Sequence, residues 1–191
     1  MRKICQTKDI LLPYIQQSEY SIKHVYETCQ GDMTRFRWDN IVWHRLSIPQ
    51  TRFILWMVMN DVLKIKVKLR KIGSVSDDLC TLCGLRAETV DHLFFQCVFS
   101  KSCLELLKAW LNIRCNIGIL SKLDSRKWGV NKATKGAVIA TLACLAYQVW
   151  KSRNEAVWMG YVRPAHTVVD HIKFDVRTRL KALDAAVMLA D

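Results

Sequence analysis

The chain has 191 residues, enough for one domain, or a domain with a helical extension, to bury a real hydrophobic core. Its 24% charged and 51% hydrophobic residues exclude a disordered chain, and only 7 glycines and 3 prolines exclude a collagen-like or proline-rich chain and favour helices. The 29 basic and 17 acidic residues leave a net charge of +12, which must face solvent or a polyanion. Nucleic acid is the commonest such polyanion, and the alternative is generic basicity without a ligand.

The N-terminal residues have a charged start, but no apolar stretch of the kind found in a secretory signal follows them. We therefore expect an intracellular protein, in the nucleus or cytoplasm, that is not secreted. In a reducing compartment the eight cysteines do not form disulfides, which leaves metal binding, catalysis or burial as their uses.

The first half of the chain contains three candidate elements. Ser21 is placed to cap a short helix with Ile22, Val25 and Tyr26 on one face, and residues 51–62 form a strongly apolar helix after Pro49. Residues 64–71 alternate cations and aliphatic side chains, which by itself is typical of a half-buried strand. The same run also fits a short helix closed by Gly73.

The second half is predicted to be helical around one basic connection. Residues 99–113 form an amphipathic helix, and helices are predicted at 137–158 and 167–189, the second with one apolar face. The apolar run at 136–150 is too short to span a membrane and indicates a core helix. The resulting division is a domain at 1–117, a basic linker at 118–135 and a helical C-terminal extension at 136–191.

Four residues have the spacing of a zinc site. Cys80, Cys83, His92 and Cys97 follow the pattern C-x2-C-x8-H-x4-C, in which a Cys-x2-Cys turn and a following pair close a tetrahedral shell. Gly84 permits a left-handed turn after the pair, and Thr89 is placed to cap the helix that carries the other two ligands. Four protein ligands leave no position for an activated water, so we expect one structural Zn²⁺. The alternative is four unlinked buried residues.

The remaining cysteines and acidic residues give no sign of catalysis. Cys103 is the one rival ligand, and the others are expected to be small core or surface thiols. Asp77 and Asp78 form the only adjacent acidic pair and are expected in a solvated turn. Because no nucleophile elbow, phosphate-binding glycine loop or acidic metal cluster is found, we predict that the chain is not an enzyme.

These motifs resemble the zinc-binding domain that follows the reverse transcriptase in plant LINE-type (non-LTR) retroelements. The matching words lie in order at 20–26, Trp43 with Pro49, 53–56, Leu63, 69–73, 80–83 and 88–97. Residues 150–154 also resemble a word that commonly follows this domain. The resemblance implies a small, mainly helical zinc domain over about 17–112, with Cys80, Cys83, His92 and Cys97 as ligands and a helix at 64–71. Two departures are the missing polymerase, with no Tyr-x-Asp-Asp word, and Cys103 where the family often has tryptophan.

The predicted function is therefore a non-catalytic, retroelement-derived module that binds RNA or DNA through phosphates. The cations expected to make these contacts are Lys64, Lys66, Lys68, Arg70, Lys71 and Arg86. For the 64–71 run, a merely solvated face is the alternative. For the whole chain, the alternatives are a zinc-stabilised protein-interaction adaptor, with an apolar groove along 167–189 for a partner helix, and a retroelement relic without activity.

Overall fold

The computed structural model describes residue 36 and residues 38–113 and 130–188, without the side chains of 132, 133 and 184–188. Its helices are α1 (Asp39–Val42), α2 (Pro49–Met59), α3 (Lys66–Lys71), a π-helical turn (His92–Gln96), α4 (Val98–Leu111), α5 (Lys132–Met159) and α6 (Ala165–Met188). The described part of the chain has no β-strand and one isolated bridge, between Leu79 and Ala87. The prediction of a mainly helical fold with a Cys/His cluster is confirmed. The predicted helix after Ser21 lies outside the described residues.

Helix α2 begins at Pro49, two residues before the predicted start. Proline suits the first turn of a helix because its fixed φ is already helical and its missing N–H has no helical partner there. The helix buries Leu55 and Val58, and it ends where the side-chain amide of Asn60 donates to the carbonyl of Trp56 at 2.9 Å. The predicted apolar core helix is thus present.

Residues 66–71 form helix α3, so the strand that their alternation favours is not formed. The helix ends in a Schellman motif, in which Gly73 N–H donates to Arg70 O at 3.0 Å and Ser74 N–H to Leu69 O at 2.9 Å. Gly73 has a φ of +72°, the left-handed conformation that this motif requires. Both the implied helix and its glycine cap are confirmed.

Helix α5 begins earlier than predicted. The side-chain oxygen of Asn131 accepts a hydrogen bond from Thr134 N–H at 2.8 Å, and this cap starts the helix at Lys132. The last four residues assigned to the linker, 132–135, are therefore helical, which corrects its predicted end. Most of the linker and the boundary near 118 lie outside the described residues.

The long helix α5 runs through the core. Its residues at 138–141 and again at 143–146 are all buried, so it is covered on more than one side, as predicted for a core helix. It packs against α2 and α6, and α6 in turn packs against α4. The C-terminal helices therefore complete the same hydrophobic core as the cysteine-bearing region. None of the described helices combines the length and apolarity needed to cross a membrane.

Candidate metal centre

Cys80 and Cys83 lie in a tight turn closed by the bridge between Leu79 and Ala87. Cys80 N–H donates to Arg86 O, and Gly84 N–H donates to Cys80 O, each at 2.7 Å. Gly84 has a φ of +66°, which confirms the predicted left-handed position. The turn holds the two thiols close together.

His92 and Cys97 are presented by the π-helical turn. Thr89 Oγ1 accepts from His92 N–H at 3.0 Å, so the predicted cap is confirmed, and Cys97 N–H donates to His92 O at 2.6 Å. In an α-helix, side chains five positions apart project about 140° apart around the axis. The wider π turn, and the exit of the chain at Cys97, direct both side chains to one cluster. The predicted regular helix here is thus a π-helical turn.

The four predicted ligand atoms form one compact cluster. The Nε2 atom of His92 and the Sγ atoms of Cys80, Cys83 and Cys97 all lie within 4.8 Å of one another. Tetrahedral zinc with ordinary bond lengths places two sulfurs about 3.8 Å apart, and sulfur and nitrogen about 3.5 Å apart. The Cys80–Cys97 Sγ distance is 3.9 Å, and Cys83 Sγ lies 3.3 Å from His92 Nε2. The donor set and its spacing fit one zinc ion.

Burial and hydrogen bonding set the protonation of the ligands. The hydrogen bond between Cys80 and Cys97 raises the pKa of Cys80, which burial raises further, and the same bond lowers the pKa of Cys97. Burial, followed by the charge of Arg86, lowers the pKa of His92 and favours the neutral imidazole that a metal needs. Cys80 would therefore have to lose its thiol proton to hold a zinc ion, which would make metal binding depend on pH.

Behind the ligands lies a fully buried carboxylate, Glu88, which the sequence analysis did not single out. Its Oε1 accepts from Arg153 Nη2 at 2.8 Å, from Arg153 Nε at 3.0 Å and from Lys66 N–H at 2.9 Å. Its Oε2 accepts from the backbone N–H and the hydroxyl of Thr81, beside Cys80. Glu88 thus joins the cysteine turn, the start of α3 and α5. The only sequence signal was that residues 88–97 and 150–154 both carry words of the resemblance.

Cys103 is not part of the cluster. Its side chain is fully buried, and its Sγ lies 3.9 Å from the carbonyl oxygen of Ala165. Burial raises the pKa of its thiol to about 11, so it remains protonated at neutral pH. Cys144 is likewise a buried free thiol, as expected for a core cysteine.

The cations predicted to contact nucleic acid divide into two groups. One group forms surface ion pairs: Lys66 with Asp77 at 2.9 Å, Lys68 with Asp61 at 2.7 Å, and Arg70 with Asp78 at 2.7 Å. The other group is exposed and has no ion pair within the described residues: Lys64, Lys71 and Arg86. Three of the six predicted cations therefore already have an acidic partner, and Asp77 and Asp78 are two of these three partners.

The apolar face predicted for the last helix is used inside the molecule. Val168, Val169, Ile172 and Val176 of α6 are buried against the rest of the core, and Leu180 packs against it. The part of this face within the described side chains therefore offers no groove to a partner helix.

Residues 20–103 match the model of a protein family described as zinc-binding in reverse transcriptase. The match includes all four clustered ligands, and it confirms the resemblance at the level of the domain family. No curated protein and no solved structure matched the chain.

Proposed function

We propose that this chain, which carries a reverse-transcriptase-type zinc-binding domain over residues 20–103, is a non-catalytic module that binds nucleic acid mainly through phosphates. One zinc ion would stiffen the scaffold that presents the cations. The net charge of +12 is the observation that carries the binding part of this proposal.

The metal centre fits a structural role. Cys80, Cys83, His92 and Cys97 supply four ligands, so a bound zinc ion has no open position for water or substrate. When bound, the ion supplies folding free energy by crosslinking the cysteine turn and the π-helical turn. Buried Glu88 and Thr81 hold the cysteine turn from behind, as the second layer of a metal site commonly does.

The charge surplus persists when zinc is bound. Three thiolates and a neutral histidine around Zn²⁺ contribute −1, so the formal net charge changes only from +12 to +11. Exposed Lys64, Lys71 and Arg86 lie near the metal site in sequence and have no acidic partner among the described residues. They are the members of the predicted set that are free to contact phosphates.

The test is a fluorescence anisotropy titration of the zinc-loaded protein with labelled RNA, single-stranded DNA and duplex DNA over a range of salt concentrations. If four or five phosphates are neutralised, the slope of log affinity against log salt is about −3 to −4.5. Different sequences of one nucleic-acid type should bind with similar affinity. A protein without salt-sensitive binding to any of these probes contradicts the proposal.

A protein-interaction adaptor is the second candidate, and one observation favours it. Around the connection between α5 and α6, Trp158 is 83% exposed, Met159 76% and Tyr161 57%. Exposed apolar side chains of this size occur at protein interfaces. If nucleic-acid binding fails, replacing Trp158 and Met159 with serine should abolish a protein interaction while leaving zinc content unchanged.

A further inference from the structure

The connection between α1 and α2 is held firmly against α5. Within it, Ser47 N–H donates to His44 O at 3.0 Å, and Leu46 N–H donates to His44 Nδ1 at 3.3 Å. Gly136 of α5 makes room for this connection, since a Cβ atom there would lie 2.5 Å from Leu46 Cδ1. The backbone at 44–47 therefore has a fixed place on the core.

Two arginines from distant parts of the chain converge on this backbone. Arg52 of α2 donates from Nη2 to Arg45 O at 2.9 Å and from Nε to Ser47 O at 2.9 Å. Arg179 of α6 donates from Nη2 to the same Arg45 oxygen at 3.2 Å. Two guanidinium groups thus share one carbonyl acceptor. We call His44, Arg45, Arg52 and Arg179 the arginine cluster.

Among the side chains that the structure describes, no carboxylate neutralises the arginine cluster. None of its arginines forms an ion pair with a described side chain, although Asp175 lies one turn before Arg179 on α6. The Nε atom of Arg179 is buried and has no hydrogen-bond partner in the described part of the chain. This arrangement differs from α3, where three of the cations pair with aspartates.

The charges of the arginine cluster act on one another. Burial and the charge of Arg179 lower the pKa of Arg52. Burial, with the charges of Arg45 and Arg52, lowers the pKa of His44. Both shifts arise because positive groups lie close together and no described anion compensates them. Held guanidinium groups of this kind match the oxygens of a phosphate group, which accept paired N–H donors.

We propose that the arginine cluster is a binding site for a phosphate group of the nucleic-acid backbone. The inference rests on the proposed function, and it deepens it by placing a phosphate contact outside the 64–71 segment. The sequence analysis did not identify this site because its residues are separated by up to 135 positions, from His44 to Arg179. Only the packing of α6 beside the α1–α2 connection brings them together.

The test compares two double variants that remove the same charge. Arg52→Gln with Arg179→Gln removes the two converging guanidinium groups, and Lys151→Gln with Lys181→Gln removes two exposed charges that do not belong to the arginine cluster. In anisotropy titrations with a 20-nucleotide RNA and its DNA equivalent, the arginine variant should weaken binding about tenfold or more. Its salt slope should become shallower by about 1.4 to 1.8, the value for two lost phosphate contacts. The lysine variant should change the slope by less than half as much.

A single variant tests whether weaker binding could result from misfolding of the double variant. Arg45→Gln removes an exposed guanidinium and keeps the carbonyl that holds Arg52 and Arg179, so it should weaken binding with unchanged zinc content and thermal midpoint. If the wild type binds and all arginine variants bind equally well, the arginine cluster is not the site, and the proposed function stands. If the wild type binds no nucleic acid, both proposals fail. Pyrophosphate binding that persists in that case would assign the cluster to another phosphate ligand and so overturn the nucleic-acid assignment.

Discussion

Arg153 of helix α5 donates two hydrogen bonds to the Oε1 atom of Glu88, a residue 65 positions earlier and four before the predicted zinc ligand His92. Both side chains are buried, with Glu88 fully and Arg153 almost fully removed from solvent. The pair ties the second long segment of the chain to the metal centre. The helices beyond residue 130 thereby take part in positioning the cysteine turn, through Glu88 and Thr81.

Breaking this pair should lower the free energy of unfolding more than breaking a more exposed pair, that of Glu155 on the same helix with Arg163 in the α5–α6 connection. Arg153→Met leaves the Glu88 carboxylate buried without its guanidinium, and we expect the free energy of unfolding to fall by about 3–5 kcal/mol. Urea denaturation of the zinc-loaded protein measures this change. Adding Glu88→Gln to Arg153→Met should restore part of the loss, because the stranded charge is then removed.

The matched control is Arg163→Met. Arg163 pairs with Glu155 at 2.7 Å in a more accessible position, so its loss should cost about 1 kcal/mol or less. If the Arg153 and Arg163 variants lose the same free energy of unfolding, the role assigned to the buried pair is contradicted.

Zinc binding should depend on the four clustered ligands and not on Cys103. Wild-type protein should contain one zinc per chain by elemental analysis, and Cys83→Ser should contain almost none, because a ligand of the closed shell is lost. Cys103→Ala should retain the full amount, since its sulfur lies outside the cluster. Chelation of zinc should lower the thermal midpoint of the wild type. Full zinc content in Cys83→Ser would refute this site.

The cluster of three thiols and one imidazole was predictable from sequence because the spacing of these residues is a local property. The π-helical turn was not, since it depends on the hydrogen bond from Cys97 to His92 and on the cluster that both side chains join. The alternation at 64–71 gave the wrong element, because a six-residue helix is too short for a periodicity to be decisive.

The surroundings of the α3 cations and of the last helix could not be predicted from sequence, because they depend on contacts between residues far apart in the chain. The cations of α3 have no acidic residue within their own segment, but folding brings Asp61, Asp77 and Asp78 beside three of them. The apolar face of the last helix has the pattern of a docking surface, but α4 and α5 already cover its buried residues. In both cases the sequence pattern correctly identified a charged or apolar face. The partner of that face is another part of the same chain.

Two glycines offer a matched comparison of turn strain. Gly84 in the cysteine turn and Gly73 after α3 have φ values of +66° and +72°, and a Cβ atom at either would meet nothing within 4 Å. Alanine at each should therefore cost about 1 kcal/mol through backbone conformation alone. Only Gly84→Ala should also speed zinc release, measured by transfer to a colorimetric chelator. Equal release rates in both variants would show that the Gly84 turn does not control the ligands.

Stability should decline at alkaline pH through the buried thiol of Cys103. Its pKa is about 11 in the folded protein, whereas an unfolded cysteine titrates near about 8.5. Between these pH values the unfolded state has lost the proton that the folded state keeps, so stability falls as pH rises. Between pH 8 and pH 11 the free energy of unfolding of the wild type should fall by about 2–3 kcal/mol more than that of Cys103→Ala. A difference that is constant over this range would show that the thiol does not titrate with a raised pKa.

The final prediction separates the free cations near the metal centre from the paired ones. Replacing Lys64, Lys71 and Arg86 with glutamine and replacing Lys66, Lys68 and Arg70 with glutamine each remove three charges, so the change in net charge is equal. The first variant should make the salt slope of nucleic-acid binding shallower by about 2 to 2.7, because each free cation can release one phosphate's counterions. The second should change the slope less, because its cations already pair with Asp61, Asp77 and Asp78. Equal effects in anisotropy titrations would mean that only total charge matters and that no cation of this set makes a local phosphate contact.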